Sequence, residues 1–173
     1  MNSISERTND FTGALLAVEP HADLGDEAET YGRFIGSWHG EYRDTSVDGQ
    51  LRTGPMEVHF AWVLRGRAIQ DLWIARTEGV EDDRRTYGTT LRVYDPELRA
   101  WRVTWINPPY NTHQQLIGRR IGDDVVQTGY FGDRPAKWIF TDVKPDSFTW
   151  RGYVLEDDGV TWQLQTEFRL CRD

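Results

Sequence analysis

The sequence predicts an all-β fold: a closed up-and-down antiparallel barrel of about 8–10 strands, with one or two short helices at its N-terminal side. Three observations predict it. Seven of the eight tryptophans lie between Trp62 and Trp162, in short alternating stretches set between turn residues. In one of these stretches, Trp101-Arg102-Val103-Thr104-Trp105, a strand puts both indoles and Val103 on one side and Arg102 and Thr104 on the other. The links, finally, are short and carry turn chemistry, as at Arg65-Gly66, Asp95-Pro96, Lys144-Pro145-Asp146 and Asp158-Gly159, so sequence neighbours pair as a meander. Closure then removes the long unpaired edges of so large an open sheet.

The elements follow in order. Residues 10–18 form a short helix capped by Asn9 or Asp10 and broken at Glu19-Pro20-His21. A second helix over 26–35 opens on Asp26 with Glu29 three residues later, the spacing that satisfies free amides at a helix start. Ala28, Tyr31, Phe34 and Ile35 share one stripe at helical spacing, so this helix plugs or flanks a barrel end. After Gly36 the period becomes strand-like, with strands near 37–46, 54–64, 67–76, 86–94, 100–106, 111–118, 123–130, 136–142, 147–154 and 160–170. The last of these reads as Trp162, Leu164 and Phe168 on one face and Gln163, Gln165, Glu167 and Arg169 on the other. The longer connectors at 77–85 and 107–111 could both overhang a barrel mouth, although the first reads better as a charged, solvated loop. A chain of 173 residues fits one domain, with an N-terminal segment over 1–25 and the barrel over 26–173.

Composition excludes several classes of function. A formal net charge of −8 and the absence of a basic run argue against a nucleic-acid partner. No stretch approaches the roughly 18 apolar residues of a membrane span, and the N-terminal residues make a poor secretory signal. The single cysteine, Cys171, forms no internal disulfide, which points to the cytoplasm. Four scattered histidines and one cysteine give no chelating set, so no metal and no cofactor is expected. A homodimer stays open.

Gly36-Ser37-Trp38, at the first strand after a short helix, resembles the Gly-x-Trp signature of the lipocalin and wider calycin barrels. The segments 66–73, 87–96 and 146–152 resemble those of a family of bacterial lipocalin-like barrels of unknown function, over roughly residues 28–170. The resemblance implies a cavity that takes a small, largely apolar molecule. It also implies closure of the barrel floor by Trp38 against an arginine of the last strand, with Arg169 the natural counterpart and Arg172 the second choice. Parity, however, places Arg169 on the solvent face, in conflict with that role. Trp38-His39-Gly40 is similar to the opening of haem-binding barrels of the nitrobindin type, whose iron is held by a histidine on a late strand. This chain has no histidine after His113, which counts against haem.

About ten strands leave an interior cavity, and the tryptophans exceed what a filled small core needs. Burying each ring is worth about 4–6 kcal/mol gross, and each buried indole N–H seeks an acceptor. The expected ligand-binding residues are Trp62, Gln70, Trp105, His113, Gln115, Trp138, Trp150 and Trp162. Neither 67–76 nor 111–118 declares its inner face, so Gln70 competes with Asp71, and the polar residues suit hydrogen bonds to buried indoles or neighbouring strands better than a ligand role. The leading expectation is a carrier of a small hydrophobic or aromatic molecule. The alternative is a cyclase or isomerase that folds an apolar intermediate in the same cavity, with Asp71 or His113 moving a proton.

Overall fold

The computed structural model describes residues 4–45, 49–76 and 86–172, with side chains from Asp10 onward. Helix α1 (Ile4–Leu15) and a two-residue strand β1 (Leu16–Ala17) lead to a 3-10 segment, Ala22–Glu27, and a single-turn helix α2 (Ala28–Gly32). Ten strands follow: β2 (Gly36–Asp44), β3 (Arg52–Val63), β4 (Ala68–Ala75), β5 (Tyr87–Asp95) and β6 (Ala100–Asn107), then β7 (Thr112–Ile121), β8 (Asp124–Phe131), β9 (Arg134–Thr141), β10 (Ser147–Leu155) and β11 (Trp162–Arg172). Each of β2–β11 pairs antiparallel with its sequence neighbours, and β11 returns to pair with β2, so the sheet is a closed ring. The meander expected from the short links is therefore the observed one. The connector at 77–85 lies outside the described residues.

The N-terminal side differs from expectation in two places. Leu16 and Ala17, expected inside a helix, instead pair with Val63 and Trp62 and extend the sheet where β3 runs past the start of β2. The second helical segment begins earlier than Asp26: the His21 ring accepts from the Asp23 amide, and the 3-10 turn that follows hands over to α2 with no side-chain cap at Glu27. The apolar stripe holds nonetheless, with Tyr31 and Phe34 fully buried and Ala28 and Ile35 packed beside them.

That stripe fills one end of the ring. Phe34 lies 4.7 Å from Phe140 and 5.0 Å from Phe148, and Trp38 sits edge-on to Phe148 at 4.7 Å. The Trp38 indole donates to the Phe34 carbonyl at 2.7 Å. Tyr31 reaches inward past Gly118, where an added Cβ would stand 2.2 Å from the phenol oxygen, so only glycine admits the plug at this depth.

The arginine that closes this end is Arg172 rather than Arg169. Arg172 donates to the carbonyls of Ile35 at 2.7 Å and Arg33 at 3.0 Å, and its guanidinium lies 4.2 Å from the centre of the Trp38 ring. Parity decides this: from Thr166 onward the even residues of β11 face inward, so Phe168, Leu170 and Arg172 share the inner side. Arg169 stays outside, with a side chain 72% exposed and paired with Glu167. The even–odd reading fails before Thr166. Gly152 pairs with Thr166 but Tyr153 pairs with Leu164, which leaves Gln165 as a bulge and turns Leu164 and Trp162 to the outer face.

Arg172→Ala removes three charge-assisted hydrogen bonds, to the carbonyls of Arg33, Ile35 and Pro145, and a cation–π contact, and is expected to cost about 2 kcal/mol in urea denaturation, whereas Arg169→Ala changes stability by less than about 0.5 kcal/mol.

Candidate functional site

The plug occupies one end of the ring, and toward the other end the interior opens into a cavity of ≈ 420 Å³. The β6–β7 connector, Pro108–Tyr110, overhangs this mouth, with Tyr110 part of the lining. One side of the cavity is a continuous aromatic wall: Trp105 lies 6.4 Å from Trp138, Trp138 5.4 Å from Trp150, and Trp150 stacks on Phe168 at 4.9 Å. Trp73 closes the series, 5.9 Å from Trp150 and 5.3 Å from Phe168. Trp105 lies over the backbone at Gly88, where a Cβ would fall 2.2 Å from the indole. A glycine on β5 thus sets the tilt of a ring on β6.

At the cavity floor, where the filled half begins, stands a buried ion pair. Arg92 of β5 and Asp71 of β4 have side chains only 2% and 0% exposed, and Arg92 Nη1 donates to Asp71 Oδ2. The other carboxylate oxygen accepts from the Thr90 backbone N–H at 2.7 Å. The guanidinium is surrounded by ring faces, with Tyr31 at 4.9 Å, Phe60 at 5.6 Å and Phe140 at 5.7 Å. Burial pushes the Tyr31 phenol well above its ordinary pKa against the opposing pull of Arg92. The phenol therefore stays protonated and donates to Gln127 Oε1 at 3.1 Å. The floor is a polar layer of no net charge in which the plug residue Tyr31 meets groups from three strands, β4, β5 and β8.

The structure brings only part of the expected site together. Trp105, Trp138 and Trp150 line the cavity. Trp62 points inward at the filled end, against Gly32 of α2. Trp162 stands on the outer face through the Gln165 bulge, with the Lys137 ammonium 4.2 Å from its ring centre. Gln70, His113 and Gln115, expected to line the interior, are corrected by strand parity. On β4 the inward set is Ile69, Asp71, Trp73 and Ala75, and Gln70 bonds to Thr89 on the outer wall. On β7 the inward set is Thr112, Gln114, Leu116 and Gly118, which leaves His113 and Gln115 exposed. Asp71 and His113, the two alternative candidates for moving a proton, therefore stand on opposite faces of the wall.

Sequence reasoning missed Trp73, Arg92, Asn107, Gln114 and Phe168 as lining residues. Asn107 was within reach, since the alternation through Trp101, Val103 and Trp105 continues to it. Arg92 was not, because its inward parity turns the apolar Leu91 and Val93 outward. Among the described residues no three His, Cys, Asp or Glu side chains gather as a metal site, and no helix is long and apolar enough to cross a membrane.

No family model and no curated protein matches the sequence. Among solved structures the chain is similar to the S-type phycobiliprotein lyase CPES from Guillardia theta, at 15% identity and a TM-score of 0.58 over 85% of this chain and 92% of that one. At that identity the likeness shows the fold alone, a closed antiparallel barrel.

The floor pair yields a sharp stability test. Asp71→Asn, which strands a buried guanidinium, is expected to cost about 3–5 kcal/mol, while the Asp71→Leu/Arg92→Met double variant costs much less because both charges leave together. Equal losses in chemical denaturation would contradict the pairing.

Proposed function

We propose that this protein binds a small hydrophobic or aromatic molecule inside the barrel, against the wall formed by Trp105, Trp138 and Trp150. The observation that carries the reading is the aromatic wall around a cavity of ≈ 420 Å³. That volume falls in the range typical of small-molecule sites, roughly 300–1,000 Å³. A ring sandwiched among indoles gains burial on both faces and the offset and edge-on contacts that aromatic pairs favour. The buried charges at the floor cancel, so they offer no net attraction to a charged ligand. The similarity to a phycobiliprotein lyase supports the reading at the level of architecture, as another barrel of this shape.

A shape-driven cyclase or isomerase in the same cavity gains nothing from the residues expected to move its proton. Asp71 is engaged by Arg92 and by the Thr90 amide, and His113 is outside. Binding is therefore the function the geometry supports best.

Titration with N-phenyl-1-naphthylamine, a neutral apolar probe, tests it. Saturable quenching of the indole emission is expected. Trp105→Ala should weaken affinity about tenfold through the lost ring contact, and Trp162→Ala on the outer face should leave it unchanged. No saturable response from this probe or from a panel of neutral aromatics would refute the proposal.

A further inference from the structure

Asn107 on β6 and Gln114 on β7 line the cavity and are only 7% and 8% exposed. The side-chain oxygen of each is buried with no hydrogen-bond partner. In the ladder Asn107 faces Thr112 and Gln114 faces Trp105, which makes the two amides diagonal neighbours on one inner face. Such neighbours stand about 7–8 Å apart at the backbone and closer at their side chains, within the span of one small molecule.

A buried amide oxygen left unmet costs stability, and here two occur as diagonal neighbours on the β6–β7 wall beside Trp105. Neither oxygen serves a buried indole or the strand ladder, the roles that would make it structural. The last torsion of Asn and Gln is soft, so each amide turns its oxygen toward the cavity at little cost. A ligand that donates hydrogen bonds to both would meet a need that the protein alone leaves open. The pair beneath carries no net charge, and its one unmet group, Arg92 Nε, is itself a donor, so nothing at the floor calls for an ammonium group and a neutral donor is preferred.

We infer that the cavity selects a neutral aromatic molecule bearing an N–H or O–H donor on one edge, received by Asn107 and Gln114 while its rings lie against Trp105 and Trp138. This rests on the apolar-ligand reading above and refines it from a preference for greasy rings to a preference for rings with a donor edge.

Calorimetric titration of the full chain with two probes tests the inference. 1-Naphthol donates a hydrogen bond; 1-methoxynaphthalene keeps the rings and cannot donate. The wild type is expected to bind the naphthol about tenfold more tightly. The Asn107→Leu/Gln114→Met double variant should bind the two equally, with a thermal midpoint at or above that of the wild type because unmet amides give way to apolar groups. The single variants serve the same comparison if the double variant does not fold. Equal binding of both probes by the wild type overturns the donor preference and leaves apolar binding standing. A naphthol preference that survives in the variants overturns its assignment to these two amides. If neither probe binds, the apolar-ligand reading falls and the donor preference falls with it.

Discussion

A ring of ten strands encloses more space than its own inward side chains fill, and the architecture of this protein follows from how that excess is divided. At one end the chain spends its N-terminal segment on the problem. Tyr31 and Phe34 enter the ring, Trp38 caps them, and Arg172 ties the carbonyls of residues 33 and 35 to the final strand. At the other end no described residue enters in the same way, and the space remains as a cup walled by indoles. The Asp71–Arg92 pair marks the boundary. It is the deepest polar layer, and it faces the phenylalanine cluster below and the cavity above.

This division explains why polar residues occupy so apolar a place. A guanidinium between aromatic faces gains cation–π stabilisation, and its carboxylate partner is held from two sides, by Arg92 and by the Thr90 amide. The pair also tethers β4 to β5 and, through Tyr31 and Gln127, the plug to β8. Cup and plug thus meet at one polar layer, with Tyr31 the plug residue that touches it.

Much of the fold was legible in the sequence because alternation and turn chemistry are local signals. All ten strands fall where the pattern placed them, and the inward set of β6 was read correctly from Trp101 to Trp105. The site was less legible because the inner face of a strand is a relation between strands. On β5 the residues facing inward include Gly88, Thr90 and Arg92, while Leu91 and Val93 face outward, so hydrophobicity alone assigns that strand backwards. On β7 the choice between Gln114 and Gln115 depends on the pairing of Trp105 with Gln114. On β11 a one-residue bulge reversed the meaning of the pattern midway. Trp162 went outside, and the closing arginine, Arg172, stands three residues beyond Arg169 and so on the opposite face.

Closure of the ring joins its first strand to its last. Thr166 on β11 hydrogen-bonds Asp44 on β2 across 122 residues of sequence, and Arg172 locks onto the backbone just before β2. During synthesis β2 has only β3 as a lasting partner until β11 has left the ribosome, so a growing, open-edged sheet exists before any barrel does. The plug residues, translated first, wait for a wall that is completed last. Until β11 pairs with β2 the inward indoles already made face an open sheet, so the hazard of self-association is greater before closure than in the closed ring.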